Sequence, residues 1–237
     1  MMVPVETQWL LVTCGLIAHA DGVLDGHEAE HLMAMAEERV SEDDYMDWLG
    51  LISDRRALEA RYEQLPELPP NQHRAVLEEA WIMAMVDGDR DASELVVFAR
   101  ISERLGVQPM QLQFWREAWT AAEKVFAPLV TELAVYVLGG GESLFEDDHS
   151  PFLDMIQRLP ASTEEREALA QLATQPTADT DALSRSLAAL PRPRRMQAFH
   201  MVAKLTHGAV EEQAAKARFE QLGRSAGLLD VARLLTL

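Results

Sequence analysis

Two short patterns in this sequence combine residue types and spacing that can do chemistry. The first is Asp-Gly-x-x-Asp-x-x-Glu, which occurs twice in register at a shift of 66 residues, so that Asp21, Gly22, Asp25 and Glu28 align with Asp87, Gly88, Asp91 and Glu94. Carboxylates suit hard divalent cations such as calcium or magnesium, which take several oxygen ligands. The second pattern overlaps the first. His27-Glu28-Ala29-Glu30-His31 is a literal HExxH, the spacing that sets two imidazoles one helical turn apart to hold zinc, with the glutamate as general base.

Each pattern also has a purely structural explanation. Gly22 and Gly88 suit the left-handed position C′ that ends one helix, while Asp25 and Asp91 suit the N-cap of the next. Glu28 and Glu94, three residues on, then close a capping box. Asp21, Asp87 and Asp89 are left over from that arrangement, and two such corners related by pseudo-symmetry would bring carboxylates together. No twelve-residue loop of alternating oxygen ligands is present, so the pattern is not an EF-hand. In the HExxH stretch, the charged Glu30 and the position of His27 in a first helical turn argue against a zinc hydrolase. The second copy has Ser93 and Val97 where the histidines would stand, so a surface histidine pair is expected, with His27 and His31 as the alternative zinc ligands.

The elements that must position these residues read as helices throughout. Apolar residues recur at helical spacing, as in Leu11, Cys14, Leu16 and Ile17, and alternating runs are scarce. Helices are expected near 6–20, 26–40, 42–53, 55–65, 72–87, 92–105, 109–126, 128–138, 151–159, 163–174, 181–190, 194–206, 210–223 and 228–236. Pro66, Pro69, Pro70, Pro160, Pro176, Pro191 and Pro193 are expected to fall between them. A second shift, of 120 residues, lays Arg74, Gly88 and Asp91 over Arg194, Gly208 and Glu211, and one residue more lays Phe98 over Phe219 and Gly106 over Gly227. The chain is therefore expected to be all-α, with two related helical bundles at 1–125 and 126–237, the second diverged, and with continuity of the 109–126 helix across that boundary as an alternative to a break. In that second half His207 replaces Asp87, Ala214 replaces Glu94, and Gly139-Gly140-Gly141 stands where the Asp21 corner would be. The glycine run lacks the preceding strand and following Lys-Ser/Thr of a phosphate loop, so it reads as a flexible corner.

Charge and composition narrow the function. The chain of 237 residues has a net charge of −18, concentrated in residues 1–120, which carry 23 acidic against 9 basic side chains. Such a field repels phosphate backbones and attracts cations or a basic partner protein, so no nucleic-acid partner is expected. The single cysteine, Cys14, lies in an apolar run and allows neither an intramolecular disulfide nor a CxxC motif. His19 and Asp21 interrupt the first apolar stretch before it is long enough for a bilayer, and a cytoplasmic protein without membrane insertion is expected. Trp9, Trp48, Trp81, Trp115 and Trp119, with Met33, Met35, Met83 and Met85, are expected mostly in the core, with a partner groove as the alternative. Arg192, Arg194 and Arg195 form the one basic cluster, suited to open a helix in solvent or to meet the acidic face of a second copy in a homo-oligomer.

An apolar helix, then Asp-Gly, then Asp-x-x-Glu opening a second helix that ends in Leu105-Gly106-Val107, resembles the tellurite-resistance TerB family and its relatives, which include the amino-terminal domain of the DjlA co-chaperones. The stretch from Ala84 to Leu95 carries the resemblance most strongly, and residues 7–120 are covered. The resemblance implies an all-helical pseudo-repeat, a role in tellurite or other chemical stress, and clustered acidic positions suspected of binding metal, here Asp21, Asp25, Glu28, Asp87, Asp91 and Glu94. The expected function is a non-enzymatic acidic module that binds a divalent cation, calcium or magnesium before zinc, or a basic protein. A metal-independent co-chaperone-like or scaffold adaptor is the alternative.

Overall fold

The computed structural model describes residues 3–88, 90–175, 179–228 and 231–236; Asp89 and Pro176 lie outside them. The described residues form twelve α-helices and contain no strand. In order these are α1 (Val5–Ala18), α2 (Gly26–Arg39), α3 (Glu42–Ile52), α4 (Arg55–Glu63), α5 (Pro70–Met83), α6 (Ala92–Arg104), α7 (Pro109–Gly139), α8 (His149–Gln157), α9 (Thr163–Ala170), α10 (Thr180–Ala189), α11 (Arg192–Thr206) and α12 (Glu212–Ser225). Short 3-10 segments cover Glu146–Asp148, Gln171–Thr174 and Val231–Thr236. The chain divides into two compact units, Met1–Ala121 and Ala122–Leu237.

The amino-terminal unit is organised around α1. Every residue of α1 from Thr7 to Ala18 is buried, and a helix apolar on all sides has to be enclosed by its neighbours. α5, α4, α2 and α6 all pack on it. Gly15 permits the close approach of α4, since a Cβ there would stand 2.9 Å from Leu58 Cδ1. Trp9, Trp48, Trp81 and Trp119 are all in this core, with Met35 and Met83, whereas Met33 is 41% exposed. Because α1 leads into the first acidic corner and packs on α2 beyond it, and also packs on α5 and α6 on either side of the second, its packing sets where the corners stand.

The carboxy-terminal unit buries Phe126, Val130, Leu133, Ala134 and Val137 of α7 together with Phe152 of α8, Phe199 of α11 and Phe219 of α12. Its α11–α12 corner contains Gly208 at φ +82°, the aligned counterpart of Gly88 at φ +108°. The helix ends agree in more detail. Gly106 and Gly227 have φ of +69° and +84°. Around them Gly106 N–H donates to Glu103 O and Val107 N–H to Ser102 O, as Gly227 N–H does to Arg224 O and Leu228 N–H to Gly223 O. Both helices thus end in a Schellman cap, for which glycine at the left-handed position carries no Cβ penalty.

Several local expectations are corrected. The break expected between residues 126 and 128 is absent, because α7 runs continuously with Pro128 inside it. Proline cannot donate to the carbonyl four residues back, which is that of Lys124, an exposed residue whose carbonyl water can satisfy. Pro70 and Pro193 lie in the first turns of α5 and α11 rather than between helices, where a missing N–H breaks no helical bond. α5 stops at Met83 and residues 84–87 form turns. The final segment is a 3-10 turn rather than an α-helix. Arg195 is used internally: its guanidinium donates to the carbonyls of Ala188, Leu190 and Ala226.

Among the described residues no helix is long and apolar enough to cross a membrane. The central role of α1 predicts that Leu11→Ala, at a fully buried position, destabilises the amino-terminal unit by about 2–5 kcal/mol. Val23→Ala, at a 65% exposed position, is expected within about 0.5 kcal/mol of the parent. Urea unfolding followed by tryptophan fluorescence measures both, and equal effects would contradict this packing.

Candidate functional site

Each acidic corner is built by the same local bonds. In the first, Glu28 N–H donates to Asp25 Oδ1 at 2.8 Å and Asp25 N–H donates to Glu28 Oε2 at 3.0 Å. In the second, Glu94 N–H donates to Asp91 Oδ1 at 2.9 Å and Asp91 N–H donates to Glu94 Oε2 at 2.8 Å. Both are complete capping boxes, opening α2 and α6. Ser93 Oγ also donates to Asp91 Oδ1. The N–H of Glu94 and the Ser93 hydroxyl hold the Asp91 carboxyl below its ordinary range.

The glycines adopt positive φ, +97° at Gly22 and +108° at Gly88, but not at the C′ position expected from the sequence. α1 and α5 are capped earlier, at His19 and Ala84, and each glycine closes a following turn, Gly22 N–H donating to His19 O and Gly88 N–H to Met85 O. Asp21 is not surplus to the backbone either, since its Oδ1 accepts the N–H of Val23 at 2.8 Å. Asp21 and Asp87 are exposed.

What the sequence did not disclose is how deeply the capping glutamates are buried. Glu28 is only 7% exposed and Glu94 only 5%. Desolvation by burial pushes the Glu28 carboxyl up to about 7, with Asp25, Asp87 and Asp21 adding repulsion against the bond from the Asp25 backbone. Burial likewise pushes Glu94 up to about 8, with repulsion from Asp87, Asp91 and Glu28. Asp87 of the second corner thus acts on Glu28 of the first, and Glu28 acts on Glu94. The structure brings the two corners within electrostatic reach of one another. The N-termini of α2 and α6, with their partial positive charge, offset part of this repulsion.

Basic and imidazole groups also stand at the corners. Arg90 donates from Nε and Nη2 to Trp81 O at 3.2 and 3.0 Å and lies 3.8 Å from the centre of the Trp81 ring. Arg55 Nη1 lies 3.9 Å from where a Cβ on Gly22 would stand. His19 is buried, with Nε2 2.9 Å from Ile52 O, which ties the first corner to α3. Arg90 falls inside the second motif and was available to inspection, whereas Arg55 reaches Gly22 from another helix and left no local signal.

The histidines of the HExxH stretch are not an equivalent surface pair. His27 is exposed, but His31 is half-buried, and desolvation, followed by repulsion from Arg39, lowers its pKa. Glu28, which a hydrolase would use as general base, is held in the capping box. Among the described residues, no group of three or more His, Cys, Asp or Glu side chains stands in an arrangement that could hold a metal ion. The six acidic positions therefore surround two helix starts without a preformed coordination shell among the described residues.

The buried glutamates make the unit's stability depend on pH. An ordinary glutamate titrates near about 4.3 in an unfolded chain, and both folded values are raised. The protonated folded state is favoured at low pH, so this stability is present below about pH 4.3 and is lost as pH rises through 7 and 8. Thermal unfolding without divalent cations is expected to show a higher Tm at pH 6 than at pH 8.5. Glu28→Gln with Glu94→Gln, which keeps a cap acceptor at each site, should flatten that slope, and an unchanged slope would contradict the assignment.

The sequence comparisons agree with this architecture. Residues 7–117 match the family model described as tellurite resistance protein TerB. No curated protein and no solved structure matches the chain. The matched span holds both acidic corners and the helices that carry them, so the amino-terminal unit is similar to the TerB family over residues 7–117.

Proposed function

We propose that the TerB unit is a non-catalytic binding module whose two acidic corners together take a hard divalent cation, calcium or magnesium, in a tellurite or related chemical stress response. The observation that carries this reading is the mutual repulsion of Glu28, Glu94 and Asp87 across two corners. A cation placed among them would relieve that repulsion and would favour the ionised form of both buried glutamates. Exposed Asp21 and Asp87 offer the first oxygens to an ion arriving from water, and Asp25, Asp91, Glu28 and Glu94 lie behind them. Binding would draw these carboxylates inward into a shell, consistent with the flexible coordination of calcium. The stress context comes from the TerB family itself.

Titration of the purified chain with calcium, magnesium and zinc, read by thermal unfolding and calorimetry, tests the proposal. Calcium or magnesium is expected to stabilise by about 2.7 kcal/mol at a free concentration 100-fold above Kd. Asp21→Ala with Asp87→Ala should abolish that response while leaving both capping boxes intact. A response to zinc alone, lost in His27→Ala or His31→Ala, would replace this reading with a zinc site. The absence of any metal response, with saturable binding of a basic peptide, would replace it with a metal-independent adaptor.

A further inference from the structure

The carboxy-terminal unit contains a half-open cavity of about 450 Å³, remote in sequence from the acidic corners. One wall is the corner from Gly139 to Phe145, and the other is formed by Glu211 and Arg218. The corner is held in place. Leu144 is buried and its N–H donates to Ala173 O at 2.8 Å, while Gly140 N–H donates to Tyr136 O. Gly140 has φ +65°, and a Cβ on it would stand 2.5 Å from Arg218 Nη1, so glycine is what lets the guanidinium lie against the end of α7.

Arg218 has its charge engaged there. Its Nε donates to Val137 O at 2.8 Å and its Nη2 to Leu138 O at 2.6 Å, both carbonyls of the last turn of α7. Glu211 Oε2 lies 3.4 Å from Nη1. A guanidinium spread over a helix C-terminus and a carboxylate has little left to attract an anion. Glu142, also on the cavity wall, is exposed and makes no ion pair among the described residues. Two carboxylates and the negative end of α7 therefore outweigh one guanidinium. Beside them Phe145 lines the cavity and is 45% exposed, an aromatic surface of the kind that attracts organic cations.

We propose that this cavity binds an alkylammonium group, supplied either by a free diamine or by a lysine side chain of a partner. The volume is of the size that takes small molecules, and a bare metal ion would leave it mostly unfilled beside the Arg218 charge. A primary ammonium has three donors for the Glu142 and Glu211 carboxylates, and its methylene chain covers Phe145 and Leu144. The assignment is independent of whether the amino-terminal corners bind a divalent cation.

Heteronuclear NMR of the full-length ¹⁵N-labelled chain tests it, with putrescine, N-acetyl-lysine methylamide and inorganic phosphate as separate probes. The two amines are expected to give saturable shifts centred on the amides of Gly139–Phe145, and phosphate none. Glu142→Gln should weaken amine binding by about tenfold, the loss of one charge-assisted contact, and Phe145→Ala should weaken it as well. Glu37→Gln, on the amino-terminal unit, should leave it unchanged. Tighter binding of putrescine would identify a free diamine as the source, and tighter binding of the lysine derivative a protein partner. Amine shifts spread over acidic residues generally, amine binding insensitive to Glu142→Gln, or phosphate binding at the corner would each overturn the proposal.

Discussion

Two buried carboxyl groups at neighbouring helix starts are the constraint on which the chemistry of the amino-terminal unit depends. A capping box by itself is ordinary and solvent-tolerant, as the box formed by Ser162 and the exposed Glu165 at the start of α9 illustrates. The boxes at α2 and α6 differ because tertiary packing covers their glutamates. α1 is enclosed by α2, α4, α5 and α6, and closing those helices around it draws the two corners together. The hydrophobic core sets the spacing, the caps fix the backbone, and the cost of the arrangement falls on Glu28 and Glu94 as raised affinity for protons.

Repulsion of that kind is relieved by whatever neutralises the carboxyls. Protons do so at low pH, and a divalent cation is the proposed ligand at neutral pH. The carboxy-terminal unit meets an analogous geometry differently. Its glycine-rich corner at residues 139–141 carries no aspartate, and Arg218 reaches from α12 to the carbonyls that end α7. The negative end of that helix is thus matched by a covalently attached cation, and the remaining carboxylates, Glu142 and Glu211, face a cavity. The two units share the caps at Gly106 and Gly227 but differ in the charge of these corners.

The parts of this account that were legible in the sequence are the local ones. Asp25 with Glu28, and Asp91 with Glu94, are three residues apart, so the capping boxes follow from spacing, as does the helical periodicity that makes the fold all-α. The positive φ of Gly22 and Gly88 was legible, but their register was not, because the end of a helix depends on which carbonyls find partners in the following turn. The sequence does not decide between a break and continuity at Pro128 for a related reason: whether a proline breaks a helix depends on how the freed carbonyl is satisfied and on packing further along. Burial of Glu28, Glu94 and His31 and the approach of Arg55 to Gly22 depend on tertiary packing rather than on spacing along the chain. No local pattern encodes them.

The central claim is that the two corners share one electrostatic environment, and residue-resolved titration of the glutamate side-chain carboxyls by carbon-13 NMR, in metal-free buffer, measures this directly. In the parent chain, Glu28 and Glu94 are expected to titrate near 7 and 8. In Asp87→Asn both midpoints should fall, although Asp87 and Glu28 belong to different corners. Midpoints in the ordinary carboxyl range, or a Glu28 midpoint that ignores the change at residue 87, would contradict the account.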